Sequence, residues 1–209
     1  MKVLAINGSP HEKGCTYEAL QIVSNELKTC AIDCDIVHIG TDPIRGCIAC
    51  MACAKMAPGT QKCAFDDDIV NALIERSRTV DGLILGTPVH FSGIAGSMKC
   101  VLDRFFYAGS KDRIGYLPAG AVVSVRRTGG STTLDQLLHY LTYSNMPIAS
   151  SRYWTVVHGS APEDVSKDLE GVQTLRHMAK NLAWLINSLK DYKEYMPEME
   201  PRISTNFIR

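Results

Sequence analysis

The opening stretch constrains the fold most. Lys2-Val3-Leu4-Ala5-Ile6 reads as a β-strand, Asn7-Gly8-Ser9-Pro10-His11-Glu12-Lys13-Gly14 as a tight loop, and Cys15-Thr16-Tyr17 as the start of a helix. A strand that empties through a Gly- and Ser-containing turn into a helix N-terminus leaves backbone N–H groups unpaired. The helix dipole adds roughly half a positive charge at the same point. Ser9 and Thr16 place hydroxyl donors at the two ends of the loop. The segment therefore reads as a phosphate cradle, although an ordinary βα turn with a Ser/Thr cap would have the same composition.

Three familiar phosphate loops are excluded by residue identity. Five residues separate Gly8 from Gly14 and Cys15 stands where a Walker lysine belongs. Gly8 lacks the glycine two residues on that a dinucleotide fingerprint requires. A tyrosine-phosphatase loop places Arg six residues after its Cys, and the residue six after Cys15 is Gln21.

The 209 residues suffice for one domain with a full core, expected over residues 1–190, with 191–209 as a C-terminal arm. Lys+Arg and Asp+Glu balance at 22 each, so nothing in the net field points to nucleic acid or an acidic membrane. No apolar run is long enough to span a bilayer, and the short apolar start is not a secretory signal. Eight cysteines then imply reduced thiols in a cytoplasm, or metal ligands.

Further strands are expected at Cys34–Ile39, Gly82–Gly86, Ala121–Val125 and Tyr153–Val157. Helices are expected after the first strand, behind the Asp66-Asp67-Asp68 run, from about Ala95 to Phe106, and after Ser131. A final helix is marked by Val165, Leu169, Val172, Leu175, Met178, Leu182, Leu185 and Leu189, stepping by threes and fours. Strands alternating with helices predict an α/β fold, a doubly wound five-stranded parallel sheet. Ligands of such sheets sit outside the carboxyl ends of the strands, and the turns after strands one, three and four all carry Gly, Ser or Thr. A phosphorelay receiver shares this layout, but Asn7-Gly8 and Thr87-Pro88 occupy the positions its aspartates need.

Taken together, Asn7-Gly8-Ser9-Pro10 with Gly14-Cys15-Thr16, Gly86-Thr87-Pro88-Val89-His90-Phe91-Ser92-Gly93, Met98-Lys99…Leu102-Asp103-Arg104, the Cys-x-x-Cys run at Cys47 and Arg126-Arg127-Thr128-Gly129-Gly130 resemble the NAD(P)H-dependent FMN reductase family, near its iron–sulfur flavoprotein branch. The resemblance implies a flavodoxin-like sheet of order 2-1-3-4-5, bound FMN and NAD(P)H as electron donor. By match, Ser9, Cys15 (through its backbone) and Thr16 would hold the phosphate, with His11 and Tyr17 nearby. Many relatives carry Arg where His11 stands and Asn where Cys15 stands. Pro88, Val89, His90, Phe91, Ser92 and Gly93 would edge the isoalloxazine ring, and Arg126, Arg127, Gly129 and Gly130 would close the site. Reduced flavin gathers negative charge at its N1 and O2 edge, where Arg126 or Arg127 could stand, though two solvated arginines would look the same in sequence. Hydride transfer to a flavin needs stacking and orientation more than a catalytic triad. His90 could protonate a second substrate, touch the ring, or be merely exposed.

The implied reaction passes electrons from NAD(P)H through FMN to a small acceptor: a flavin, a quinone, or a nitro- or azo-aromatic. No nucleic acid or membrane partner is expected, whereas a homodimer or homotetramer is. Phe105-Phe106-Tyr107 and the C-terminal arm could serve its contact, or the aromatic stretch could pack in the core. Cys47, Cys50 and Cys53 have ferredoxin-like spacing, and Cys63 follows ten residues later. Four cysteines can take an Fe–S cluster or zinc, or serve as packed or redox-active thiols, and the last reading ranks first. The gap before Cys63 is longer than in the iron–sulfur flavoproteins. Cys30, Cys34 and Cys100 read as core filler. The alternative function is an iron–sulfur flavoprotein electron carrier. Carriers tend to be acidic, and this neutral chain favours the enzyme.

Overall fold

The computed structural model describes residues 1–57, 59–109 and 115–191, and residues 195, 197, 198, 200, 201, 203 and 205 of the C-terminal segment. Most of the expected arm, 191–209, therefore lies outside the described residues. Strands β1 (Lys2–Asn7), β2 (Asp33–His38), β3 (Gly82–His90), β5 (Ala119–Val125) and β6 (Val156–His158) form a parallel sheet in the order β2-β1-β3-β5-β6. The two-residue β4 (Gly93–Ile94) folds back antiparallel onto β3. Counting the parallel strands alone, this is the expected 2-1-3-4-5 order.

The three central strands are buried on both faces, which explains their unbroken apolar runs. Alternate residues then feed two cores. Leu4, Ile6, Leu83, Leu85 and Val123 meet α2 (Val70–Ser77), α3 (Gly96–Ala108) and α4 (Gly130–Tyr143). Val3, Ala5, Ile84 and Val122 meet α1 (Cys15–Thr29) and α6 (Leu169–Lys190). No helix of the described residues is long and apolar enough to cross a membrane.

Several features differ from the sequence reading, each for a local reason. The third strand runs on to His90 because its last residues close a hairpin with Gly93 and Ile94. The run expected to be helical from Val165 is broken into α5 (Pro162–Val165) and α6. Asp168 ends the break by accepting the Gly171 N–H on Oδ1 (2.9 Å), a side-chain cap that starts a new helix. Of the three aspartates before α2, only Asp68 takes a helix N–H, that of Val70 (3.1 Å). The fifth strand is Val156–His158 rather than Tyr153–Val157. The chain touches β5 at the Ala119–Ile148 bridge, then leaves the ladder because Ser150 and Ser151 bond to α6 instead. Tyr153 and Trp154 consequently stand 65% and 58% exposed. Phe105 is fully buried and edge-on to Phe106, so only Tyr107 of that stretch is exposed.

Candidate functional site

The loop after β1 is built around one side chain that the motif reading passed over. Asn7 is fully buried. Its Oδ1 accepts the Ser9 N–H (3.1 Å) and its Nδ2 donates to the Glu12 carbonyl (3.0 Å), folding the loop about itself. Ser9 Oγ accepts the His11 N–H (3.1 Å), and His38 Nε2 donates to the Ser9 carbonyl (2.8 Å). Gly8 donates to the Gly86 carbonyl (2.8 Å), which keeps the loop on the sheet. A Cβ at Gly8 would fall 2.5 Å from Met98 Cγ, so glycine lets the loop lie directly against α3.

Gly14 then caps α1 in an extended conformation with no side chain bonding the first turn. Among the described residues, the N–H groups of Cys15, Thr16 and Tyr17 have no protein acceptor. Three convergent donors at the positive end of a fifteen-residue helix make an anion site that a phosphate monoester fits. The side chains there are partly committed. Thr16 is buried, with its hydroxyl bonded to Ser124 Oγ of β5 (2.8 Å). Cys15 Sγ turns away to the Gly159 carbonyl (3.6 Å), and burial pushes its thiol up, which keeps it uncharged beside an anion. Tyr17 bonds Gln21 through its hydroxyl. His11 is exposed, with its ring free of partners among the described residues. The cradle is therefore largely main chain, with the Ser9 hydroxyl proton available as a further donor.

The turns after β3 and β5 stand against each other on the same side of the sheet. Pro88 and Val89 are half-buried, while His90, Phe91 and Ser92 are exposed. Phe91 and Ser92 both take left-handed backbone (φ 51° and 59°) to make a two-residue hairpin turn between His90 and Gly93. Neither residue is the usual Asn or Gly, so the turn carries strain that its neighbours offset. Gln136 of α4 accepts the Ile94 N–H (3.2 Å) and donates to the Ser92 carbonyl (3.5 Å). Gly129 (φ 89°) lies so near that a Cβ would sit 2.7 Å from Ser92 Oγ. Gly129 also caps α4, and Gly130 packs against Val156 of β6. Arg126 and Arg127 are exposed and without partners among the described residues. The structure thus gathers Ser9–Tyr17, Pro88–Gly93 and Arg126–Gly130 at the carboxyl ends of β1, β3 and β5, where the sheet order reverses.

Several supporting residues went unread. Asn7 at a strand end before Gly-Ser is an Asx-turn signal, and Ser124 is the only polar residue of β5. Gln136 carries no local signal. Its role depends on the hairpin meeting α4 from forty residues away.

Cys47, Cys50, Cys53 and Cys63 wall one small cavity together with Phe65, Arg104 and Tyr107. All eight cysteines are free; Cys47 and Cys50 are exposed, Cys53 is buried and Cys63 half-buried. Burial raises the Cys53 thiol. It also carries the Cys34 thiol up to about 12, as suits a packing residue. Arg104, with no exposed side-chain surface, holds the loop. Its Nε donates to Cys63 Sγ (3.2 Å), Nη2 to the Phe65 carbonyl (3.0 Å), and Nη1 to the Arg45 carbonyl (3.3 Å) and the Asp68 carboxylate. Among the described residues no three His, Cys, Asp or Glu side chains converge closely enough to hold a metal ion. The four thiols of the described residues are gathered on one cavity but not arranged as a ligand set.

The chain is 29% identical over 201 residues to an iron–sulfur flavoprotein of Methanocaldococcus jannaschii, covering 91% of this chain and all of that one. Its fold matches that of RosB, solved with bound 8-demethyl-8-formylriboflavin-5′-phosphate, with TM-score 0.68 and 13% identity over 100% of this chain and 92% of that one. An archaeal flavodoxin matches with TM-score 0.58 and 10% identity, over 90% and 99% of the two chains. At such identities the structural likenesses speak for the fold alone. Residues 1–161 match the model of the NADPH-dependent FMN reductases. With the uncapped helix, the converging turns and the sheet order in agreement, the chain belongs to the NADPH-dependent FMN reductase family.

Proposed function

We propose that this flavoprotein takes electrons from NAD(P)H and passes them through FMN to a small acceptor (a flavin, a quinone, or a nitro- or azo-aromatic). When bound, FMN supplies the hydride-accepting and electron-donating chemistry. The residues supply binding, orientation and exclusion of water. The N–H groups of Cys15, Thr16 and Tyr17, with the Ser9 hydroxyl, hold the phosphate. Pro88–Gly93 and Gly129–Gly130 flank the ring, and Arg126 or Arg127 faces the negative charge that reduction places on it. The observation that carries this reading is the first turn of α1, whose N–H donors lack any protein acceptor among the described residues while two further loops converge beside it. Eight free thiols suit a reducing cytoplasm. Phe91, fully exposed at the hairpin tip, suits a homo-oligomer that covers the ring's open face. The test is anaerobic addition of NADPH or NADH to the FMN-loaded protein. Loss of the visible flavin bands is expected with one or both, and unchanged bands with both would overturn the enzymatic reading.

A second reading is favoured by the four thiols on one cavity beside a buried Arg104, and by the iron–sulfur name of the M. jannaschii relative. It is an electron carrier with FMN and a cluster on the Cys47–Cys63 loop. Iron and acid-labile sulfide in anaerobically purified protein, lost on Cys63→Ala, would decide for it.

A further inference from the structure

The edge of the sheet beyond β6 carries a face that the flavin site does not use. Between the Ile148 bridge and Val156 the chain leaves the ladder and is pinned to α6. Ser151 Oγ donates to the Thr174 carbonyl (2.7 Å) and Asn181 Nδ2 to the Ser150 carbonyl (2.8 Å). The segment so held turns Arg152, Tyr153 and Trp154 outward. The two aromatic rings lean on each other at 5.8 Å between centroids and stay exposed. Two large rings held in water by hydrogen bonds of their own backbone mark a contact surface.

Charge is laid out in order around the rings. Toward the start of α6, Tyr153 and Trp154 share a cavity of about 210 Å³ with Asp168 and Glu170, and no Lys or Arg lines it. Next to it the same two rings wall an apolar groove of about 220 Å³ with Leu134, Leu138 and Ile148. Arg152 joins that groove to a third cavity, also about 220 Å³, walled otherwise by Gln173, Arg176, His177 and Lys180, with no Asp or Glu. Behind the third cavity Glu26 accepts from Arg176 Nε (2.9 Å) and stands 3.3 Å from Lys180 Nζ. One carboxylate thus offsets three permanent cations. Glu170 and Lys180 are separated by about 15 Å of helix rise. The face therefore runs acidic, apolar, basic.

A small ion satisfies only one end of such a face. A partner surface must bring basic, apolar and acidic parts in the reverse order over the same span. The same face turned about a twofold axis is that surface. With the axis at Tyr153 and Trp154, the acidic end of each copy meets the basic end of the other, and the rings make an apolar centre. The two α6 helices then run antiparallel, which also brings opposite ends of their dipoles together. A chain of zero formal net charge adds no long-range repulsion between copies.

We propose that this edge is a twofold interface with a second copy of the chain, in which Asp168 and Glu170 of each copy face Arg152, Arg176 and Lys180 of the other across a shared Tyr153–Trp154 centre. The interface uses none of the Pro88–Gly93 hairpin, so it is separate from the contact that exposed Phe91 suits. It stands whichever donor reduces the flavin.

The test is sedimentation velocity on the FMN-loaded full chain. Glu170 and Arg152 are exposed and form no ion pair among the described residues, so each can be reversed without unfolding the chain. Glu170→Arg and Arg152→Glu each set like charges across the axis and should weaken association at least tenfold, with flavin content and thermal midpoint unchanged. Mixed in equal amounts, the two variants should regain the parent's size, because each supplies the charge that the other lacks. Trp154→Ala should also weaken association at least tenfold. A monomeric parent would overturn the interface, as would an equal mixture of the two charge variants that stays dissociated. If the parent is an oligomer and both charge variants keep its size, the edge interface falls and the Phe91 contact stands.

Discussion

Replacing Arg104 by Met tests how the cysteine loop is held. The Arg104 side chain is fully buried and its partner Asp68 is 4% exposed. Met fills much of the volume but carries no charge or donor. The Asp68 carboxylate would be left buried and unpaired, and Cys63 Sγ and the carbonyls of Arg45 and Phe65 would lose their donors. Breaking a buried pair from one side costs about 3–5 kcal/mol. For a domain of this size each kcal/mol moves Tm by about 2–4 °C, so the drop should be on the order of 6–20 °C. Arg104→Met/Asp68→Asn keeps the Oδ1 acceptor for Val70 while removing the orphaned charge, and should recover a large share of the loss. Urea unfolding followed by circular dichroism measures both. Reaction of Cys53 and Cys63 with an aromatic disulfide reports the loop separately, and both thiols should become reactive in the single variant. A loss below about 1 kcal/mol, with Cys53 still protected, would refute the claim that Arg104 organises this loop.

Gly8→Ala drives a methyl against Met98 and should displace the loop, lowering retained flavin absorbance at least tenfold at a stability cost of about 1–3 kcal/mol; Gly8→Ala/Met98→Ala should regain flavin. Ser92→Gly removes one left-handed non-glycine residue and should raise stability by about 1 kcal/mol, read as a higher urea midpoint; a lower midpoint would contradict the turn. Glu26, Asp164 and Asp168 have depressed carboxyl pKa values in the folded chain. Arg176 acts chiefly on Glu26 and Lys167 on Asp164, whereas at Asp168 the N–H groups of Gly171 and His158 overcome the opposing effect of burial. Their stabilisation is complete above the unfolded value near about 4 and is lost as pH falls through the folded values. The urea midpoint should therefore hold between pH 6 and 8 and fall on acidification below about 4, with Glu26→Gln showing a shallower fall.

Much of the architecture is legible because it is local or periodic. The apolar runs in β1, β3 and β5 announce strands buried on both faces, and the strand-to-helix loop at Gly8–Gly14 announces an anion site. What escapes is set by contacts between distant segments. Tyr153-Trp154 has strand composition, yet the bonds of Ser150 and Ser151 to α6 pull it off the sheet. The 3–4 stepping through Val165 and Leu169 hides a break because the Asp168 cap leaves the apolar spacing intact. Thr16 and Cys15 read as phosphate ligands through side chain and backbone respectively, but only the packed structure shows the Thr16 hydroxyl engaged with Ser124. Cysteine spacing brings the four thiols to one cavity without fixing the angles a metal would need.

The central claim is that main-chain donors at the start of α1 grip a flavin by its phosphate. Titration of the flavin-free protein with FMN and with riboflavin tests it directly. A hydrogen bond to a charged group contributes about 1.5–3 kcal/mol, and about 1.4 kcal/mol is a factor of ten in affinity. FMN should therefore bind at least about a hundredfold more tightly than riboflavin, and Ser9→Ala should weaken FMN while leaving riboflavin unchanged. Equal affinity for the two flavins, or uptake of neither, would contradict the account.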